Sequence, residues 1–336
     1  MKRLIRFCKG PLNLIRRLLA RRKFRKNVRR LLEYDNRRFL KYAGAFRCDN
    51  RASSLARVIM AYHVIEKGLT MPNRHLGFGY DAVKGLIRSI EYHITNFGGE
   101  DEQIAHAIGC VKEYYSLHEE SGFDMSNDSE YWGQLLDFCT NHRAVPNAQQ
   151  RNVSLDELYG NIEAPFPIFA ASRHTVRHFT GKVDEYRLKR AVEIALTAPS
   201  ACNRQYVKIY AVGNHEIRDK ILGLQNGNRG FGGTADKLLL VTADLSGIRW
   251  AEERNDAFTN AGIMIMNLVY ALHYEKVASC ILNWSVPPAA DKQVRAIAGI
   301  PASENIAALI LCGNAPEKLM IAASPRKVIE DVYKTI

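Results

Sequence analysis

Two short stretches decide how this chain is read: Ser172-Arg173-His174-Thr175-Val176-Arg177-His178-Phe179 and, further on, Ala198-Pro199-Ser200-Ala201-Cys202-Asn203-Arg204-Gln205. In the first, two arginines four apart flank a histidine and a hydroxyl. A guanidinium is a planar fork of donors that suits phosphate oxygens, and Thr175 can add a hydroxyl donor. By itself the stretch reads equally as a basic surface turn. The second stretch follows a helix and precedes a strand, a usual place for binding residues. Asn203 and Gln205 each carry a carbonyl and an amide. They can complement a ring edge that alternates acceptors and donors, as a flavin's pyrimidine edge does. Two apart, they are expected to project together only from an extended backbone. By itself this stretch reads equally as a polar loop.

Working outward, helices alternate with short apolar strands. Asp184 to Thr197 reads as a helix stopped by Pro199. Val207 to Val212 is β-branched and aromatic, hence a strand. Leu238 to Ala243 is a second strand and Glu252 to Tyr274 a long helix. Ser279 to Leu282 is a short buried strand, Asp291 to Ala298 a helix, and Ile306 to Cys312 an apolar strand ending at Gly313. Helices on both faces of a mixed sheet are the expected architecture. Upstream, residues 141–167 carry Pro146, Pro165 and Pro167 among Asn, Gln and Arg without period, and read as a linker or wrapping segment. Residues 51–140 read as four helices. Ser53 or Ser54 caps the first, which Gly68 stops. Asp81 to Phe97 and Asp101 to His118 follow, and then residues 130–139.

The net charge of +12 is unevenly placed. Residues 1–50 hold 17 Lys and Arg against Glu33, Asp35 and Asp49, which leaves the remainder at −2. The body is near neutral, so the basic balance implies no nucleic-acid partner. In the basic segment Leu4, Ile5, Leu12, Ile15, Leu18 and Leu19 fall loosely on one helical face, and Gly10-Pro11 is expected to break the helix. Three readings stand side by side: a helix lying on an anionic membrane surface, a solvated basic tail, or a helix packed on a dimer partner. The seven cysteines (Cys8, Cys48, Cys110, Cys139, Cys202, Cys280 and Cys312) form no C-x-x-C pair and are odd in number. That argues against a disulfide framework or zinc ribbon and for reduced thiols in a cytoplasm. No apolar run is long enough to span a bilayer, and basic residues interrupt any signal-peptide core.

The pattern S-R-x-x-x-R-x-F followed by A-P-S-x-x-N-x-Q resembles the nitroreductase family of FMN enzymes. The downstream order agrees: a long buried helix, a short strand at Cys280 to Trp284, an apolar strand ending at Gly313, and the basic Pro325-Arg326-Lys327. The resemblance covers residues 168–336. It implies an α+β fold, a three-layer sandwich with a mixed, mostly antiparallel sheet between helices, here preceded by a helical N-terminal region. It implies FMN as cofactor and NAD(P)H as co-substrate, with hydride passing through flavin N5 to a small-molecule acceptor by a ping-pong scheme. It also implies a homodimer with the flavin at the subunit interface. By the same resemblance Arg173 and Arg326 are phosphate ligands. His174 and Thr175 contact the phosphate, ribityl or pyrimidine side, and Arg177 stabilises charge near flavin N1 and O2. Pro199, Ser200, Ala201, Asn203 and Gln205 form the flavin-edge loop, with Leu282 and Asn283 passing beside the ring. The family's Pro and aromatic after the loop Gln are here Tyr206-Val207. Its Glu-Gly is Asn283-Trp284, and its C-terminal Lys-x-Arg is Ser324-Pro325-Arg326. These departures fall on the substrate side.

Other features weigh less. The glycine-rich Gln225 to Gly233 lacks the ending of a P-loop. It reads as a mobile loop over the sheet edge, or as a loop placing Asn228 or Arg229 beside the flavin. His63 and Glu66, in H-x-x-E-K-G, suit a salt bridge or hydrogen bond at a helix end better than a metal, since further ligands are not evident. No metal is therefore expected. Cys202 reads as a small packing residue, and Asp256 and Asn260 as pointing into a dimer interface. The alternative to an enzyme is a non-catalytic flavin or nucleotide binder, an accessory or scaffold held at a membrane surface by the basic segment. The organisation expected is a basic, partly helical segment 1–50, a helical region 51–140, a linker 141–167 and an FMN-binding domain 168–336.

Overall fold

A computed structural model describes residues 2–45, 49–99, 101–142 and 149–336, with side chains from Leu14 onward. Pro146, Cys48 and the side chains of Leu4, Ile5, Cys8 and Leu12 lie outside that description. Helix α1 (Lys2–Tyr42) is a single helix of 41 residues. It passes through Gly10-Pro11, where a break was expected. A proline inside a helix removes one backbone bond and costs about 3 kcal/mol locally. Here the flanking Leu, Arg and Lys, all strong helix formers, carry the helix across it. Near its C-terminal end α1 is anchored by Asp35, which takes hydrogen bonds from Arg254 Nε and Nη2 at 2.5 and 2.7 Å. Leu14, Ile15, Leu18 and Leu19 are exposed.

Helices α2 (Arg51–Leu69), α3 (Tyr80–Phe97), α4 (Glu102–Glu120) and α5 (Ser129–Asn141) share one apolar core that includes Leu55, Val58, Ile65, Leu86, Ile90, Ile104, Val111 and Leu135. The cap of α2 is Asn50, whose side chain accepts from Ser53 N, rather than either serine. Ser54 is instead buried, 2.9 Å from His93 Nδ1. Gly68 does not stop the helix. It lies in the last turn, where a Cβ would meet the Phe78 ring at 2.2 Å, so close packing rather than termination requires glycine there.

From residue 149 onward the chain forms β1 (Arg151–Ser154), α6 (Leu155–Tyr159) and α7 (Phe166–Ser172). Ser154 and Glu157 form a capping box at the start of α6, which satisfies two orphan backbone donors. The rest alternates α8 (Glu185–Ala195), β2 (Val207–Val212), α9 (His215–Leu222), β3 (Lys237–Asp244), α10 (Asp256–Tyr274), β4 (Ala278–Asn283), α11 (Pro288–Ala298), β5 (Glu304–Gly313), β6 (Lys318–Ile321) and α12 (Ile329–Val332). The main sheet has the order β2-β3-β5-β4, and β1 pairs with β6 in a separate ribbon. All these pairings are antiparallel.

Both faces of the sheet are apolar, because alternate side chains of a strand point to opposite faces. Leu238 and Leu240 with Leu309 and Leu311 pack under α9, α11 and the β1–β6 ribbon. Leu239 and Val241 with Ile310 and Cys312 pack under α8 and α10. The result is a three-layer α+β sandwich preceded by a helical region. The five cysteines described, Cys110, Cys139, Cys202, Cys280 and Cys312, are all free. Among the described residues no helix is long and apolar enough to cross a membrane.

Candidate functional site

The first stretch runs along the β4 edge of the sheet. Val176 N donates to Ser279 O at 3.0 Å and Thr180 N to Asn314 O at 2.8 Å. These two bonds fix residues 173–179 between α7 and the sheet. Arg173 is half-buried, and its Nε is fully enclosed with no hydrogen-bond partner. Burial pulls its guanidinium below the usual range, and the nearby charge of Arg326 adds to this. His174 is brought down to about 4, first by burial and then by Arg151, Arg173 and Arg326. His273, on α10, is likewise brought down to about 4 by burial, Arg173 and His174. Its Nε2 lies 3.0 Å from Ser172 Oγ. Three arginines, Arg151, Arg173 and Arg326, thus act on the neutral His174 imidazole, and Arg173 acts on His273 as well. Among the described residues none of the three forms an ion pair. A buried donor without a partner costs about 1–3 kcal/mol.

A second cationic point lies beside it. The Arg177 guanidinium reaches the buried Cys280 thiol, opposing the upward push of burial on that group. Arg177 also stands close enough to Lys67 to lower its ammonium, after the larger effect of burial. Lys67 comes from the end of α2 and donates to Gly227 O at 2.8 Å. Leu282 is buried on β4. Asn283 is exposed, and its backbone and side-chain oxygens accept from Gln225 Nε2 at 3.2 and 3.4 Å. Thr175 is half-buried between the two points. In the glycine-rich loop Asn228 Nδ2 is spent on Leu222 O and Gln225 O at 2.9 and 2.8 Å, while Arg229 is exposed.

The second stretch is elsewhere. It forms a tight loop with left-handed backbone at Cys202, Asn203 and Gln205, whose φ values are 52°, 51° and 49°. Asn203 and Gln205 do meet, since Gln205 Nε2 donates to Asn203 Oδ1 at 3.0 Å. They meet through these left-handed turns and not through an extended backbone. Such a conformation is costly for a residue with a Cβ, and its supports are visible. Asn260, buried in α10, accepts from Ala201 N at 2.7 Å and donates to Tyr206 Oη at 2.8 Å. Ser200 Oγ accepts from Gln205 N at 3.1 Å. Arg204 forks onto Glu253 at 2.8 and 3.0 Å. Asn260 therefore faces inward rather than toward an interface. Cys202 is exposed, not packed.

The loop leads into β2, at the opposite edge of the sheet from Arg177. Val207 is level with Ala243, whereas Cys280 is level with Leu238, further back along β3. Three strand spacings of about 4.8 Å, with the offset along the strands, put roughly 20 Å between the two stretches. One chain brings together Arg173, His174 and Arg326, with Arg177 alongside β4. It does not bring Pro199, Ser200, Ala201, Asn203 and Gln205 to them.

Several residues of this region were not singled out from sequence: Lys67, Arg151, His273 and the support residues Gln103 and Gln150. Of these only Lys67 lies in a motif read from the sequence, H-x-x-E-K-G. His63 Nδ1 does lie near Glu66 Oε2, at 3.5 Å, but the shorter partner is His106 Nε2, at 2.8 Å. Glu66, His106 and Cys110 place ligand-type atoms within 4.8 Å of one another. Both Glu66 oxygens are already engaged by hydrogen bonds.

The family model described as the nitroreductase family matches residues 170–227 of this chain, which hold both stretches. No curated protein matches it. A nitroreductase family protein of Streptococcus pneumoniae is 23% identical, covers 51% of this chain and 100% of its own, and has a TM-score of 0.46. An FMN-dependent nitroreductase of Clostridium difficile is 19% identical, covers 49% and 92%, and has a TM-score of 0.40. A nitroreductase family protein of Clostridium novyi is 14% identical, covers 46% and 86%, and has a TM-score of 0.41. Residues 170–227 thus resemble the nitroreductase family, and the helical region before them lies outside the matched residues.

Proposed function

We propose that this protein is an FMN-dependent oxidoreductase that uses NAD(P)H and a small organic acceptor. The observation that carries the reading is the enclosed, unpartnered Arg173 Nε at the meeting point of Arg151, Arg326 and the neutral His174. A cluster of cations with no acid paired to it among the described residues, and with one buried donor unused, fits a phosphate monoester, although Asp101, Glu102 and Asp331 line the cleft on the outer side of Arg326. Arg173 and Arg326 would hold the phosphate of FMN, with His174 and Thr175 as neutral donors next to it. Arg177 would take the charge-stabilising place, with Lys67 as a second cation beside it, and Leu282 and Asn283 would line the ring. Bound FMN supplies the hydride chemistry, accepting from NAD(P)H and handing on to the acceptor.

The flavin-edge loop completes the site only from a second copy. The span of roughly 20 Å estimated from strand spacing is too long for the 199–205 loop to meet Arg177 within one chain. An apolar face suited to a partner is present: Phe258, Ile263, Met266 and Tyr274 on α10, Phe166 and Ile168 on α7, and Ile281 on β4 are all exposed. Exposed apolar surface of this kind marks association. The reading is therefore a homodimer with the flavin between subunits. The test is the spectrum of the purified protein. Flavin absorbance near one per chain that bleaches anaerobically with NADH or NADPH supports it. A colourless protein that takes up no added FMN rejects it.

A further inference from the structure

Residues 323–326 pack against the helical region and Gln150, which hold their backbone at successive positions. Ala323 N donates to Gln150 Oε1 at 2.7 Å. Ser324 N donates to Glu66 Oε1 at 2.9 Å, and Ser324 Oγ to Glu66 Oε2 at 3.2 Å. Gln103 Nε2 donates to Pro325 O and Arg326 O at 3.5 and 3.4 Å. Ser324 has φ of 42°, a left-handed conformation that a serine does not favour. The turn is therefore held from outside rather than chosen locally.

Its principal holder is Glu66, whose side chain is 0% exposed. Burial pushes the Glu66 carboxyl up, but hydrogen bonds from His106, His63 and Ser324 N outweigh it and leave the group at about 2. It is a fixed, ionised double acceptor. The turn it fixes matters because of what comes next. The Ser324 carbonyl accepts from Arg326 Nη1 at 2.7 Å, which orients the guanidinium. The Arg326 charge is then felt at both Arg173 and His174.

We propose that Glu66 is a positioning residue of the cofactor site: by gripping Ser324 it fixes the turn that delivers Arg326 to the phosphate, so the helical region closes a site that lies in the other half of the chain. The inference rests on the flavin reading. It gives residues 51–142 a role in cofactor retention.

The experiment uses the full chain as wild type, Glu66→Ala, Ser324→Pro, Arg326→Ala and the Glu66→Ala/Arg326→Ala double variant. FMN affinity is read by quenching of flavin fluorescence. Exposure of the turn in the FMN-free protein is read by the rate of tryptic cleavage after Arg326 and Lys327. Ser324→Pro removes the N–H given to Glu66 and forbids the left-handed turn. It leaves the buried Glu66–His106 pair intact, so it covers the case in which Glu66→Ala fails to fold.

Arg326→Ala is expected to weaken FMN by about 10- to 100-fold, the range of one charge-assisted contact. Glu66→Ala and Ser324→Pro should approach that loss and cleave several-fold faster. The double variant should bind no worse than Arg326→Ala alone, because Glu66 acts only through Arg326. Wild-type affinity and cleavage in Glu66→Ala and Ser324→Pro would overturn the inference alone, as would losses that multiply in the double variant. Wild-type protein that binds no FMN would overturn the flavin reading and this inference together.

Discussion

Replacing Arg173 with alanine should separate binding from stability. In the free protein the guanidinium is half-buried, its Nε has no partner, and its nearest charged neighbours are cations. An unpaired buried donor costs about 1–3 kcal/mol, while the stem loses some packing when truncated. The two contributions oppose each other, so Arg173→Ala should leave the FMN-free thermal midpoint unchanged or slightly raised. Binding moves the other way. Hydrogen bonds to a charged acceptor are each worth about 1.5–3 kcal/mol, which corresponds to FMN affinity weaker by about 10- to 150-fold. Arg173→Lys should recover only part of this, since an ammonium cannot present the planar fork. Fluorescence titration gives the affinity and calorimetry of the FMN-free protein the midpoint. An unchanged affinity combined with a midpoint several degrees lower would show Arg173 to be a structural residue and remove the phosphate assignment.

Four other outcomes are expected. His174 and His273 are both held at about 4 by burial and neighbouring cations, against about 6.5 in an unfolded chain. The unfolded state therefore binds more protons between these values, and stability is full above about 6.5 and lost as pH falls toward 4. A His174→Gln/His273→Gln variant should flatten the acid side of the midpoint-versus-pH curve, and an unchanged slope would count against the assignment. Asn260→Leu leaves Ala201 N and Tyr206 Oη without their partner. It should destabilise by about 1–3 kcal/mol in urea denaturation, and a neutral result would mean the loop holds itself. Met266→Glu on the exposed face of α10 should shift the protein from dimer to monomer in light scattering and cost it FMN, whereas an unaltered dimer would place the interface elsewhere. The full chain should pellet with anionic vesicles at low salt and release at high salt if the basic α1 lies on membranes. Failure to pellet would leave α1 to a protein partner or to solvent.

The alternation of helices and strands beyond residue 180 was legible because it depends on local chemistry. Val207 to Val212 coincides with β2, and the apolar runs around Leu238 and Ile306 lie within β3 and β5. Boundaries and caps were less legible. Ser53 looked like a cap because capping by Asn50 is settled by where the chain enters the bundle, and Gly68 looked like a stop because Phe78 is invisible from its neighbours in sequence. The site was half legible. Arg173 and His174 announced themselves by residue type and spacing, and Arg326 by its downstream position. Arg151, Gln103 and Gln150 did not, since each acts across a long stretch of chain and none has a distinctive local pattern, and Glu66 stood out only as a helix-end partner of His63. The extended loop expected for Asn203 and Gln205 failed for a related reason. Three left-handed residues are affordable there only because Asn260 and Glu253 support them from a different helix and turn.

The β1–β6 ribbon gives this site an order of assembly. Arg151 is opposite Ile321 and Ser154 opposite Lys318, pairs that join segments about half the chain apart. Closing so long a loop is entropically unfavourable until much else is in place, and Ala323 to Arg326 follow directly from that ribbon. During synthesis the strand at 318–321 emerges after every element it must join. On the proposed reading, a cofactor retained through Arg326 would be held only by a chain whose two halves have already found each other. Loaded flavin would then report completed folding, and a protein paused or misassembled before that step would stay empty and leave no half-built redox centre exposed.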